Sequence, residues 1–217
     1  MELGGYSKKH PFIRIMQKAE DDCYRYADAV VSMLPKAEEH MREHGLTRDK
    51  FHYVPNGIVL SDWNNPKGIP EEHGLLLSKL RAEGKFIVGF AGAHGIANSL
   101  YAVIDAVSSL TEQNVVLVLV GGGQEKENLI KYAHKKGVTN VYFLLPINKL
   151  AIPNLLKEMD VLYIGLQKQS LFRFGISPNK MFDYMMAAKP IIQAIDAGNN
   201  LVREADCGID VEPDNVS

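Results

Sequence analysis

From Phe86 onward, short apolar runs alternate with segments whose apolar residues recur at helical spacing. The run from Val115 to Val120 is apolar without a break, which is typical of a central strand buried on both faces of a parallel sheet. Strands joined by helical crossovers indicate an α/β protein with a Rossmann-like, doubly wound parallel sheet. The pattern predicts strands at 86–91, 115–120, 141–145, 161–165, 191–194 and 208–211, and helices at 100–110, 125–136, 152–158, 179–188 and 201–205.

The N-terminal part of the chain has a shorter pattern. It predicts helices at 12–26 and 37–44 and strands at 29–34 and 51–54, which is too little for a second complete sheet. The stretch 56–70 holds several Asn, Pro and Gly residues and is typical of a linker. We therefore predict an incomplete N-terminal segment (1–55), a linker (56–70) and a C-terminal domain (71–217), and expect the chain to be a fragment.

Composition narrows the class of protein. Apolar residues make up 46% of the 217 residues, which is enough for a packed core, and the formal net charge of -2 gives no bulk attraction to nucleic acid. Cys23 and Cys207 lack metal-ligand spacing and are typical of free thiols in a reducing compartment. No apolar run approaches the roughly 18 residues of a membrane span, and no signal segment follows Met1. We expect a cytoplasmic protein without a nucleic-acid partner.

The most informative candidate for chemistry is the segment 174–192. A loop that contains Gly175, Ser177 and Asn179 runs into a predicted helix, where free backbone N–H groups beside Lys180 suit a phosphate. Asp183 follows about one helical turn later, and its carboxylate suits ribose hydroxyls. Together these residues indicate a nucleoside diphosphate site. The alternative is an ordinary capped helix that carries a solvated Lys and Asp.

Two glycine-rich loops follow the first two strands of the predicted sheet. Gly92 and Gly95 precede Asn98, and their small size would let a ligand approach the backbone. Gly121 and Gly123 precede a helix but lack the third glycine of the GxGxxG motif. Two explanations of these glycines remain open. They allow a tight turn from strand to helix, or they let a ligand contact the backbone.

Six short motifs occur in an order that resembles the donor-binding, C-terminal half of GT-B glycosyltransferases. The resemblance is to the retaining family 4 type, in particular to bacterial enzymes that build capsular or lipopolysaccharide sugars. It covers the chain from about residue 20 to the end and implies that most of the N-terminal domain is absent. The motifs are YADAVV at 26–31, VPNGI at 54–58, LVGGG at 119–123, NVYF at 140–143, MDV at 159–161 and SPNKMFDYM at 177–185.

The resemblance implies how the diphosphate is held. The family places an Arg just after the first glycine of the first loop and a Lys several residues later, where this chain has Ala93 and Asn98. Lys180 is then the cation that would balance the charge of the diphosphate. His94 would replace the family's cation as a hydrogen-bond donor to the diphosphate, so catalytic roles are predicted for both residues. The alternative for His94 is a surface loop residue.

The resemblance also implies contacts to the nucleoside and the sugar. The family's E-x7-E motif places its second acid at Asp183, which would bind ribose, and its first at Gly175, which has no carboxylate. Backbone groups of Leu145 and Ile147 would recognise the base. Lys149 would assist them or remain solvated.

The activity implied is transfer of a sugar from a UDP- or GDP-type nucleotide-sugar donor to a glycan or lipid-linked acceptor in surface polysaccharide biosynthesis. We expect no metal and no separate cofactor, since the sequence has no DxD motif and no metal-ligand cluster. Peripheral membrane association and a homodimer through the N-terminal segment are further expectations.

One alternative function is a non-catalytic nucleotide-binding module, which Ala93, Asn98 and Gly175 favour. The other is a dinucleotide oxidoreductase, which the missing GxGxxG disfavours.

Overall fold

The computed structural model of the chain describes residues 7 and 9–216, which fall into two compact units. The first unit comprises the residues up to Asn56 together with Gln169–Pro178 and Ala197–Asn200. The second comprises Gly57–Lys168, Asn179–Asp196 and the residues from Leu201 onward. The three-part division predicted from the sequence stays a prediction.

The described part of the first unit contains two α-helices and a two-stranded parallel sheet. These elements are helix α1 (Pro11–Tyr26), strand β1 (Val30–Ser32), helix α2 (Glu38–Glu43) and strand β2 (Phe51–Tyr53). Helix α1 begins with a proline, whose missing N–H is no loss there, and the His10 imidazole accepts a hydrogen bond from the Phe12 N–H.

Large apolar side chains of the first unit lie open on its surface. Ile15 of α1 is 67% exposed and Val31 of β1 is 64% exposed. Such side chains form the kind of surface that a partner commonly covers. The homodimer expected from the sequence stays a prediction.

The second unit is built on a six-stranded sheet in which every neighbouring pair is parallel. Its strands are β3 (Phe86–Ala91), β4 (Val115–Val120), β5 (Val141–Leu144), β6 (Val161–Gly165), β7 (Ile191–Ala194) and β8 (Gly208–Asp210). Its helices are α3 (Leu60–Asn64), α4 (Glu71–Ala82), α5 (Leu100–Ser108), α6 (Lys126–Lys135), α7 (Ile152–Lys157), α8 (Asn179–Met186) and α9 (Leu201–Glu204). The predicted α/β fold with a parallel sheet is confirmed.

The strand order β5-β4-β3-β6-β7-β8 reverses its direction between β3 and β6. Ligands of open α/β sheets bind outside the carboxyl ends of the strands at such a switch point. The loop that begins at Gly92 leaves β3 at this edge of the sheet. A ligand-binding site is therefore expected at this edge.

The core of the second unit forms where α5 and α6 cover the middle of the sheet. Leu117 and Leu119 of β4 are fully buried and pack in one cluster with Leu100, Ile104 and Leu129. The unbroken apolar run of β4 thus matches a strand that lies between other strands. Burying each such side chain contributes roughly 1.5–3 kcal/mol.

Three helices differ clearly from the sequence-based expectation. The predicted linker contains α3, and α4 follows it with His73, Leu77 and Leu80 buried at helical spacing. Helix α8 ends at Met186 rather than at residue 188, because Ala188 adopts a left-handed backbone (φ 51°) and Pro190 cannot continue a helix.

Within the part of the chain that the structure describes, no helix combines the length and apolar character that crossing a membrane requires.

Candidate functional site

Lys180 lies in the first turn of α8 and contacts the loop after β3. Its Nζ donates a hydrogen bond of 2.7 Å to Oδ1 of Asn98 and lies 4.3 Å from the centroid of the Phe90 ring. The Asn98 amide is oriented because its Nδ2 donates to the Ala93 carbonyl at 2.9 Å. The structure therefore brings Lys180 together with Asn98, two residues that are far apart in sequence and that lie in two segments predicted to bind a ligand.

Among the described residues, the partners of the Lys180 ammonium group do not compensate its charge. Its contacts are a neutral amide and an aromatic face, neither of which carries a negative charge. Burial lowers the pKa of Lys180 to about 8, so the ammonium form still predominates at pH 7. A half-buried cation of this kind attracts an anionic ligand more strongly than a solvated lysine does.

The two glycine-rich loops pack directly against each other. Gly92, Gly121 and Gly123 all have positive φ, at 156°, 150° and 150°. A Cβ on Gly121 would overlap the carbonyl oxygen of Gly92, and a Cβ on Gly123 would overlap the backbone of His94. Packing between the loops therefore explains Gly121 and Gly123. Gly95 has no such constraint, since the nearest atom to a Cβ there is 3.9 Å away.

His94 is fully buried between the two loops. Its ring centroid lies 6.1 Å from that of Phe90 and 6.4 Å from that of Phe143. Neither ring nitrogen has a hydrogen-bond partner among the described residues. Burial, assisted by the charges of Lys126 and Lys180, lowers the pKa of His94 to about 4. His94 is thus neutral rather than cationic and is not a surface residue, so the geometry does not favour a role in balancing diphosphate charge.

The burial of His94 should make the protein less stable in mild acid. The pKa of His94 is about 4 in the folded protein, compared with the ordinary value of 6.5 that applies to the unfolded chain. The unfolded chain therefore binds more protons than the folded protein between pH 4 and 6.5. The free energy of unfolding should fall as the pH drops from 6.5 to 4, by up to about 3 kcal/mol. Urea titrations across this range, with His94→Leu as the variant lacking the imidazole, measure the effect. If the free energy of unfolding fell equally in the wild type and in His94→Leu, the acid sensitivity would not come from His94.

Asp183 lies on α8, three residues after Lys180, and opens onto a cavity of about 160 Å³. Burial raises the pKa of Asp183, and nearby Asp62 adds to this, whereas a hydrogen bond from the Trp63 side chain and the charge of Lys149 oppose it. Lys149 also pairs with Asp62 at 3.5 Å. The cavity is lined by Gly57, Ile58, Val59, Asp62, Trp63, Lys149, Pro153, Asn179 and Asp183. Its mixture of carboxylate, amide and apolar groups suits a polyhydroxylated ring.

The loop after β5 holds the two residues predicted to recognise a base. The carbonyl oxygen of Leu145 accepts a hydrogen bond from the His73 imidazole at 2.9 Å, while the Leu145 side chain is 59% exposed. Ile147 is partly exposed, and Lys149 begins the next short helical turn. The role of these residues in base recognition stays a prediction.

Gly175 and Ser177 belong to the first unit, where both have structural contacts. Gly175 has a φ of 100°, and a Cβ there would lie 2.6 Å from Cδ of Pro35. The buried hydroxyl of Ser177 accepts a hydrogen bond of 2.9 Å from the Asn56 N–H. Their assignment to donor binding stays a prediction. The bond between Ser177 and Asn56 joins residues 121 positions apart, and no local sequence pattern predicts it.

Comparison with known proteins defines the class of this protein. The family model for glycosyl transferases group 1 matches residues 77–216, and the chain belongs to this family. A comparison with curated protein sequences found no significant match.

Three solved structures illustrate the shared fold. Anabaena Alr3699/HepE in complex with UDP and glucose is 20% identical, with a TM-score of 0.67 over 97% of this chain and 56% of that one. WaaG, a glycosyltransferase involved in lipopolysaccharide biosynthesis, is 19% identical, with a TM-score of 0.68 over 94% and 55%. A glycosyltransferase from Rickettsia africae is 14% identical, with a TM-score of 0.69 over 91% and 54%. The chain thus spans just over half the length of these proteins, and the predicted resemblance to one half of a GT-B glycosyltransferase is confirmed.

Proposed function

We propose that this chain provides the nucleotide-sugar-binding part of a glycosyltransferase. The observation that carries the proposal is the half-buried Lys180 ammonium, held by Asn98 at the carboxyl edge of the sheet. Asp183 lies on the same helix and opens onto a cavity of about 160 Å³. The cation suits a diphosphate, and the carboxylate suits the hydroxyl groups of a ribose.

In the proposed reaction, the bond between the sugar anomeric carbon and the diphosphate oxygen breaks. The acceptor hydroxyl oxygen forms the new bond to that carbon, and its proton passes to the leaving diphosphate oxygen. Negative charge then develops on the leaving diphosphate, and the Lys180 ammonium stabilises it. One well-placed donor of this kind is typically worth ~3 kcal/mol, or about 100-fold in rate. His94, being neutral and enclosed, has no charge-balancing role in this scheme.

The finer parts of the proposal are supported by the family and by the proteins that share the fold. HepE was solved with UDP and glucose, which supports a UDP-type donor, with GDP as the other candidate. WaaG is involved in lipopolysaccharide biosynthesis, which supports a glycan or lipid-linked acceptor of surface polysaccharide. A cytoplasmic location and peripheral membrane association are further parts of the proposal. Retention of stereochemistry and independence of metal belong to the same proposal. Among the described residues, no three His, Cys, Asp or Glu side chains are grouped as metal ligands.

A thermal-shift series tests the proposal directly. UDP, GDP, their sugar conjugates and NAD are each added to the full chain, and the unfolding midpoint is measured. A ligand at about 100 times its Kd stabilises by ~2.7 kcal/mol, which corresponds to a shift of roughly 5–10 °C for a chain of this size. We expect a shift with UDP or GDP and none with NAD. A shift with NAD alone would favour the oxidoreductase, and no shift with any nucleotide would refute the proposal.

The alternative of a non-catalytic nucleotide-binding module is favoured by the neutral residues Ala93 and Asn98 and by Gly175. These residues remove charges that would otherwise hold the donor. Transfer of labelled sugar by a polypeptide that contains this chain and the N-terminal acceptor domain that we propose for it, with Lys180→Met as the inactive control, distinguishes the two functions. Binding without transfer would support the module.

A further inference from the structure

Tyr184 of α8 belongs to the motif at 177–185, and neither the resemblance nor the proposed function assigns it a role. Its side chain is fully buried, and its hydroxyl oxygen accepts a hydrogen bond of 3.0 Å from the Ala91 N–H. Burial raises the pKa of Tyr184, so the hydroxyl stays neutral. The helix that carries Lys180 is thus bonded to the last residue of β3.

The Ala91 N–H lies where the sheet divides. Strand β3 pairs with β4 along its whole length, whereas its pairing with β6 ends at Gly89. Successive N–H groups of a strand point to opposite neighbours, and the Gly92 N–H donates to the Val120 carbonyl of β4 at 3.0 Å, so the Ala91 N–H points to the β6 side. A buried N–H group at that position requires another partner. The Tyr184 hydroxyl supplies it at the switch point, where ligands of such sheets bind.

Lys180 contacts the same end of β3. It lies four residues before Tyr184, so both side chains project from one face of α8. The Lys180 ammonium lies over the Phe90 ring, and a Cβ on Gly92 would be 3.3 Å from its Nζ. Ala91 stands between these two residues in the chain. The Tyr184 hydroxyl and the Lys180 ammonium therefore meet three consecutive residues and hold α8 against the end of β3 at two points.

We propose that Tyr184 is the positioning residue for Lys180, because its bond to Ala91 fixes the distance between α8 and the end of β3. The ammonium is thereby held beside Gly92, at the loop that would receive the donor diphosphate. This inference rests on the proposed function, in which Lys180 binds that diphosphate. Without the hydroxyl, α8 would be able to move away from the strand, and water would reach the ammonium. A hydrated cation attracts an anion less strongly than a desolvated one.

Calorimetry with Tyr184→Phe tests the inference, because this variant removes the hydroxyl and keeps the ring. UDP, GDP, uridine and guanosine are titrated into the wild-type chain, Tyr184→Phe, Lys180→Met and the double variant. We expect Tyr184→Phe to weaken UDP or GDP by about 5–10-fold and the nucleosides by less than about 2-fold. In the Lys180→Met background, Tyr184→Phe should change no affinity by more than about 2-fold. Equal weakening of nucleotide and nucleoside, or an undiminished effect without Lys180, would overturn the inference.

Tyr132→Phe is the matched control. The Tyr132 hydroxyl donates to the Asp105 carboxylate at 2.8 Å and so joins α6 to α5, whereas the Tyr184 hydroxyl joins α8 to β3. Loss of the Tyr132 hydroxyl should leave diphosphate affinity within about 2-fold of the wild type. An equal loss of affinity in Tyr132→Phe would show that any missing tyrosine hydroxyl weakens binding, and it would overturn the inference.

The pKa of Lys180 tests the positioning without nucleotide. Carbon NMR of the lysine Cε should show a pKa of about 8 for Lys180 in the wild type and a higher pKa, toward the ordinary 10.5, in Tyr184→Phe, because the ammonium becomes better hydrated. The pKa of His94 is about 4, so its titration does not overlap with that of Lys180. An unchanged Lys180 pKa would overturn the inference even if nucleotides bind. A raised pKa without nucleotide binding would support the link between Tyr184 and Lys180 and refute the proposed function.

Amide hydrogen exchange of the wild-type chain covers the case in which Tyr184→Phe does not fold. The Ala91 N–H should be protected as strongly as the N–H groups that β3 donates to β4, because its bond to the buried hydroxyl replaces a strand partner. Fast exchange at Ala91 would show that the Tyr184 hydroxyl does not hold the end of β3, and it would overturn the inference.

Discussion

Replacing Lys180 with methionine should remove most of the affinity for a nucleoside diphosphate and leave the affinity for the nucleoside nearly unchanged. Methionine keeps an apolar stem over the Phe90 ring, so the substitution mainly deletes the charge and its hydrogen bond to Asn98. Hydrogen bonds to charged groups contribute about 1.5–3 kcal/mol, so we expect a loss of roughly 10–100-fold for UDP or GDP. Calorimetry with UDP, GDP, uridine and guanosine measures the difference.

Two comparisons make this prediction specific to Lys180. Lys149→Met removes a lysine that is 71% exposed at the cavity wall, and it should weaken diphosphate binding much less. The pKa of Lys180 is about 8, so its ammonium form is present below this pH and is lost above it. Diphosphate affinity of the wild type should therefore decline as the pH rises past 8, and this decline should be absent in Lys180→Met. Equal losses for nucleotide and nucleoside would mean that Lys180 supports the structure of the site and does not bind the diphosphate.

Most of the sheet could be predicted from local pattern, because a buried parallel strand requires a continuous apolar run. The limits of β3, β4 and β6 agree with the prediction, since each run ends at a glycine or at a polar residue. The ends of the helices were predicted less accurately than the limits of the strands, because a helix end depends on the backbone conformation of a single residue. Helix α8 illustrates this, since the left-handed Ala188 stops it in a segment whose composition still favours helix.

The candidate site was only partly predictable, because its contacts join distant parts of the chain. Lys180 and Asp183 share one helical turn, so their proximity follows from the sequence alone. The bond between Lys180 and Asn98 spans 82 positions and depends on the fold. The burial of His94 depends on how closely two glycine loops approach each other, and no local pattern encodes that distance. No sequence pattern pointed to Trp63, which lines the cavity, because the Asn and Pro residues near it are typical of a linker and not of the short helix α3.

The contact between the two glycine loops leads to a prediction about the stability of the site. A side chain at Gly121 would overlap the carbonyl oxygen of Gly92, which is backbone and cannot rotate away. The φ of 150° at Gly121 is also strained for any residue with a Cβ. Backbone strain and overpacking each cost about 1–3 kcal/mol, so Gly121→Ala should lower the free energy of unfolding by about 4 kcal/mol.

Gly122→Ala is the matched control, because the nearest atom to a Cβ at Gly122 is Cγ of Pro146, at an ordinary 3.4 Å. Urea unfolding of both variants measures the difference, which we expect to exceed about 2 kcal/mol. Gly121→Ala should also weaken diphosphate binding, because separating the loops displaces Asn98 from Lys180. If Gly121→Ala were as stable as Gly122→Ala and lost only nucleotide affinity, direct contact with a ligand would explain the glycine, and the packing interpretation would be wrong.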